Sequence, residues 1–253
     1  MKIPAHVMAF RKDVANDIRS LQDMLNATHS GLWISGSFQP IIAALKEERA
    51  KDHPEEAATK SSYWGYKLEN YRISFNKNPR HIHPETIQDL TLLFEVHVVA
   101  DHEDLSSVKD PFKYLAFNVV IEGRSGEKSY INAFHLDRHL GGVTDEAHPI
   151  YHIHFGGDKL NKKTRDFGEA IFLDAPRLMH YPMELILGID FVLANFFPEA
   201  WDTLKKQGPY ITLLKKYQNF FWKPFAYALA SHWNDYDSTR KEWQSQKVLP
   251  NLV

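Results

Sequence analysis

Histidine is the chemically useful residue that this chain concentrates. Six of its fourteen histidines lie between His135 and His180. Side chains alternate across a strand, so Ile131, Ala133, His135 and Asp137 share one face of the segment ending at Asp137. By the same rule His152 and His154 share a face of the next segment. Neighbouring strands lie roughly 4.8 Å apart. If the two segments pair, four polar side chains are expected to converge on one ion or one substrate group. The connection from Arg138 to Pro149 carries His139, Gly141, Gly142, Asp145, Glu146 and His148 and can fold over the cluster. Gly156-Gly157-Asp158 then forms a turn where backbone can approach a ligand closely. Asp174, Arg177 and His180 follow, in the approach to a helix expected to start at Pro182. An arginine beside a helix N-terminus suits a phosphate or a carboxylate.

Three chemistries fit this set. In the first, His135, Asp137, His152 and His154 hold a divalent metal (zinc, manganese or iron) that activates water. In the second, catalysis is metal-free: His135, His154 and His180 supply an acid and a base, and Arg177 stabilises an anionic transition state. The third is ligand binding without chemistry, with the imidazoles as hydrogen-bond donors or a pH sensor. A lone His-x-His pair on a strand is more often two hydrogen-bonded residues on a half-exposed face. Adding Asp137, His135, Arg177 and His180 shifts the balance, because ionisable groups gathered on one face are costly unless used or paired. The leading expectation is a hydrolase of this His/Asp site, metal-dependent or not, acting on a phosphate-bearing substrate. The rival is a non-catalytic ligand- or protein-binding component of a bacterial multiprotein system.

Several other motifs fall short. His152-x-His154 with Asp158 resembles the first metal motif of cupins, but Glu146 stands where that motif has glycine. Asp166-Phe167-Gly168 lacks the other kinase signatures, and P-loop, Gly-x-Ser-x-Gly and His-Glu-x-x-His patterns are missing. His81-x-His83 is a second pair, but Pro84 is expected to start a helix there. The string His148-Pro-x-x-His152-x-His154-Phe-Gly-Gly157, then Pro176-Arg177 and His180-x-Pro182-Met183, resembles an uncharacterised bacterial protein family. So does Ile189-Asp-Phe-Val-Leu-x-Asn-Phe-Phe-Pro198. The resemblance spans about 50 residues and implies a bacterial origin and one module, without an activity.

The elements that must position these residues change period twice. Val7, Phe10, Val14, Ile18, Leu21 and Leu25 recur at helical steps, and a second helix is expected from Pro40 into the charged run Lys46–Glu56. Alternating or β-branched segments follow at 71–75, 92–100, 114–122, 130–137, 150–155 and 169–173, with a hairpin signal at Gly123–Gly126. Helical periodicity returns from Pro182 through Phe196, and again at 199–206 and 210–233. Leu213, Tyr217, Phe220, Phe221 and Phe225 in the last helix are spaced to form core rather than a base-stacking surface. The reading is one α+β domain over 1–253: N-terminal helices about 7–56, an antiparallel meander about 71–174, C-terminal helices about 182–233.

Composition bounds the partners. With 253 residues, 43% hydrophobic and a formal charge of −2, the chain has material for a core and no general electrostatic grip on nucleic acid or anionic membrane. It has no cysteine, which agrees with a reducing compartment. Met1–His6 lacks the apolar core of a secretory signal, and the Met183–Phe197 run is broken by Glu184, Asp190 and Asn195. The expectation is a cytoplasmic protein with a small anionic ligand.

Overall fold

The computed structural model describes residues 2–28, 32–47, 60–75, 82–139, 148–156 and 176–232. The first helix, α1 (Ala5–Ala27), buries Val7, Val14, Ile18, Leu21 and Leu25, the stripe that the periodicity predicts. A short strand β1 (Trp33–Ser35) and helix α2 (Gln39–Lys46) follow. Arg11 of α1 is buried and donates Nη2–H to the Ala44 carbonyl at 2.8 Å, tying the two helices together.

Four long strands and short links come next: β2 (Tyr63–Ser74), β3 (Gln88–Asp101), the single-turn helix α3 (His102–Ser106), β4 (Phe112–Ser125) and β5 (Lys128–Arg138). The sheet closes with β6 (Tyr151–Phe155) and the two-residue β7 (Leu178–Met179). All seven strands are antiparallel and lie in chain order, β1 to β7. Ser125 pairs with Lys128 around Gly126, whose φ of +59° suits a two-residue hairpin turn. This is the antiparallel meander with helices at both ends that the sequence predicts.

Alternation separates the faces of the sheet. Leu92, Phe94, Val96 and Val98 of β3, Leu115, Phe117 and Val119 of β4, Leu136 of β5 and Tyr151 of β6 point into one large core. The helices cover that face. The other side carries a small apolar cluster of Leu93, Val120 and Ala133, and around it the polar residues of interest.

Over the core side run α4 (Leu185–Phe196), α5 (Pro198–Leu204), α6 (Gly208–Tyr217), a π-helical turn at Gln218–Trp222 and α7 (Lys223–Ala230). Helix α4 lies directly on the strands. A Cβ at Gly188 would stand 2.5 Å from Cε2 of Phe117, so glycine is what permits that approach. Tyr217, Phe221 and Phe225 are buried, as their spacing implies, although the expected single helix over 210–233 is interrupted by the π turn.

Two helix starts differ from expectation. Pro84 opens a turn, not a helix: Ile87 N–H donates to the Pro84 carbonyl at 3.1 Å and β3 begins at Gln88. Helix α4 starts at Leu185, after Pro182, because the Glu184 side chain caps it. The predicted strand at 169–173 lies outside the described residues. Among the described residues no helix is long and apolar enough to cross a membrane.

Candidate functional site

The β5–β6 register settles the geometric half of the expectation. His135 pairs directly with His154 and Asp137 with His152, so all four side chains leave the same face, opposite the helices. Arg138, the residue after Asp137, points to the other side. There its Nε donates to Asp110 at 3.1 Å, and the Tyr151 hydroxyl donates to the same carboxylate at 2.6 Å. Alternation thus splits adjacent charged residues: Arg138 clamps the end of the sheet and Asp137 enters the site.

Asp137 is the hub. His135 Nε2 lies 3.0 Å from Oδ2, and His152 Nε2 lies 2.9 Å from Oδ1. The second contact is off line, leaving Oδ1 buried without a well-aligned hydrogen-bond donor. Burial would raise the Asp137 carboxyl. The hydrogen bonds and charges of His135 and His152 outweigh it and hold the group well below the usual carboxylate range. The distal nitrogens are engaged too. His152 Nδ1 donates to the Pro149 carbonyl at 3.2 Å, and His135 Nδ1 lies 2.6 Å from Asn118 Oδ1.

Asn118 is a member of the network that sequence reasoning missed. It sits on β4 directly across from His135. Counting back from the hairpin turn at Gly126 was the signal that could have found it.

Around this locked core stands a chain of further imidazoles. His154 has ring centroids 5.2 Å from His135 and 5.7 Å from His152. His148 lies 4.5 Å from His152, and His139 stacks on His148 at 3.9 Å. Burial first, then the charges of His135 and His152, depress the His154 imidazole. Burial, His139 and His152 push His148 down to about 4, and His139 is lowered by burial and His152. His148 and His154 are therefore held toward their neutral forms, and among the described residues each has a buried Nδ1 without a hydrogen-bond partner.

Three buried polar atoms without an aligned partner thus surround His152: Asp137 Oδ1, His148 Nδ1 and His154 Nδ1. Each such atom costs roughly 1–3 kcal/mol in an empty interior. Among the described residues, the three atoms gather beside one imidazole.

Arg177 and His180 part company. The charge of Arg177 contributes to lowering His139, His148 and His154, which places it within electrostatic reach of the cluster. His180 packs its ring 5.7 Å from Phe191 of α4, and Phe191 in turn packs on Phe117 in the core. It turns toward the helical layer, so the expectation that it joins His135 and His154 is corrected.

The expected anion site at the start of α4 is corrected as well. Glu184 Oε1 accepts from Ile186 N–H at 2.9 Å and Leu187 N–H at 3.0 Å, while Leu185 N–H donates to the Tyr66 hydroxyl. The helix N-terminus is already occupied by a buried carboxylate. As for a metal, among the described residues no three His, Asp or Glu side chains are placed to hold one ion. Gly157, Asp158 and Asp174 lie outside the described residues.

No family model, no curated protein and no solved structure matches the chain. What fold and site define is an α+β protein with one antiparallel sheet, helices on one face and a polar histidine–aspartate site on the other.

Proposed function

We propose that this protein is a hydrolase in which His154 acts as general base beside the Asp137–His135–His152 assembly. Its substrate carries a phosphate or similar anion within reach of Arg177. The observation that carries this reading is the buried Nδ1 of His154, without a partner among the described residues and beside the locked His135 and His152; burial also disfavours the charged form of its ring. A base has to be unprotonated and within reach of the proton it takes. His135 and His152 have both ring nitrogens against acceptors, so neither is poised for that role, whereas His154 is.

In the step we envisage, water gives a proton to His154 as its oxygen attacks the phosphorus. The bond to the leaving oxygen breaks, that oxygen takes up a proton from solvent water, and His154 returns its proton to solvent. Arg177 offsets the negative charge that grows on the non-bridging oxygens. Asp137 keeps His135 and His152 in place and contributes charge without leaving its partners. A divalent metal would use the same lone pairs, on Asp137, His148 and His154. Proton transfer without a metal is preferred because, among the described residues, no three His, Asp or Glu side chains are placed to hold one ion.

Hydrolysis of a phosphomonoester, a phosphodiester and a carboxyl ester carrying p-nitrophenyl leaving groups tests the proposal. We expect turnover of a phosphate ester that survives a chelator and falls about 100-fold or more in His154→Gln. Equal rates in wild type and variant, or no turnover of any of the three, contradict it. The second reading is ligand binding without chemistry. It draws on His135, both of whose ring nitrogens lie against acceptors, and saturable anion binding without turnover would favour it.

A further inference from the structure

A polar concavity lies on the same side of the sheet as the histidine cluster, nearer the other end of β5. It has a volume of about 580 Å³, and its lining includes Arg72, Asp89, Thr91, Glu122, Arg124 and Ile131. This is within the range of roughly 300–1,000 Å³ typical of small-molecule sites. Thr91, Glu122 and Ile131 face one another across β3, β4 and β5 in direct register, while Arg72 and Arg124 sit one pair further on either side. From Ile131 to His135 is four residues along β5, or roughly 13 Å, so this is a separate place from the histidine site.

Local irregularities shape the concavity. Between Gln88 and Thr91 the β3–β4 register slips, with one extra residue on β3. Asp89 stands in that bulge at φ +52°, a conformation that a short polar side chain tolerates better than most. Gly123 lies beneath the bulge, where a Cβ would be 2.6 Å from Cγ2 of Ile87 and 2.8 Å from Cδ2 of Leu90. The bulge and the glycine together bring the Asp89 segment down against β4 at the rim. Bulges in this setting commonly re-aim a side chain toward a site.

The lining charges balance, with two arginines against two carboxylates. A simple anion would meet Asp89 and Glu122, and a simple cation would meet Arg72 and Arg124. Arg72 Nη1 lies 3.7 Å from Glu122 Oε2, a long pairing, with both side chains partly exposed at 42% and 32%. Such a pair is weak and exchanges partners readily. We propose that this concavity binds a zwitterion of the amino-acid or short-peptide kind, its carboxylate taken by Arg124 and Arg72 and its ammonium by Asp89 and Glu122. Thr91 and Ile131 would line the space for the rest of the molecule. The inference stands independently of the hydrolase reading.

The test is ligand-observed NMR and calorimetry on the full chain with the standard amino acids and glycylglycine. Acetate and methylammonium serve as the two half-ligands. We expect at least one zwitterion to bind saturably, each half-ligand to bind at least tenfold more weakly, and Arg124→Gln and Asp89→Asn each to weaken binding at least tenfold. Asn suits the same backbone conformation as Asp, so the second variant tests charge and not folding. Binding of acetate as tight as the zwitterion, unchanged binding in both variants, or no saturable binding would each overturn the proposal.

Discussion

At the scale of single residues, imidazoles that look alike in sequence stand in different surroundings. His135 and His152 are fixed by Asp137 at one end and by Asn118 or the Pro149 carbonyl at the other. His154 is left with an unpartnered nitrogen. Asp137→Asn should therefore lower turnover at least tenfold by loosening both fixed rings, although the residue never touches substrate. Steady-state kinetics with the responsive ester check this, and Asp137→Glu should restore less than the full rate because the longer side chain misplaces both contacts. The shared face of His135, Asp137, His152 and His154 was legible in sequence, since it needs only alternation and adjacent pairing. Asn118 was not read because it lies one strand further away, where face membership depends on hairpin register. His180 was misplaced for a related reason. Two residues beyond Leu178, at the end of a two-residue strand, alternation no longer determines which layer a side chain joins.

At the scale of elements, α4 is the piece on which the core depends, and its two fixed points are Gly188 and Glu184. Gly188→Ala puts a methyl against the Phe117 ring and should destabilise the protein by about 1–3 kcal/mol, read as a lower midpoint in urea. Glu184 caps the helix from a fully buried position and accepts from the Tyr66 hydroxyl at 2.8 Å. Burial, opposed by those hydrogen bonds, raises its carboxyl from 4.5 to about 7. A raised carboxyl favours the protonated folded state. Its contribution, on the order of 3 kcal/mol, is full below about pH 4.5 and is lost as pH rises through 7. Melting temperatures of wild type and Glu184→Gln across pH 5–8 should diverge, with the wild type falling more as pH rises. Parallel curves would refute the assignment. The helix itself was legible from its apolar period. Its cap was not, because glutamate ranks below Ser, Thr, Asp and Asn as a cap, and Pro182 offers a more familiar first-turn signal.

For the whole molecule, one sheet separates two chemical environments. The helical side holds the large core and the buried Glu184, while the other holds the histidine site and the mixed-charge concavity. These environments pull stability in opposite directions with pH. His139, His148 and His154 are lowered, so the stability of their neutral forms is present above about 6.5 and is lost as pH falls, for His148 down to about 4. Glu184 acts in the reverse sense over much of the same window. The wild type should show a shallow stability optimum, and His148→Gln should flatten its acid side in calorimetric melts; an unchanged acid limb would count against a depressed His148. The strands β3, β4 and β5 were readable because each has its own periodic signal, whereas of β2 only the end, at 71–75, was read. The short strands β1 and β7 carry too few residues to show a period.

The most direct test of the central claim is histidine side-chain NMR of the ¹⁵N-labelled protein with orthovanadate as a phosphate mimic. The account predicts a neutral His154 at pH 7 whose ring signals shift saturably with vanadate, followed by those of His148, while His6 and His102, which pack on each other outside the cluster, stay put. A His154 that is protonated at pH 7, or one that vanadate leaves unmoved, would contradict it.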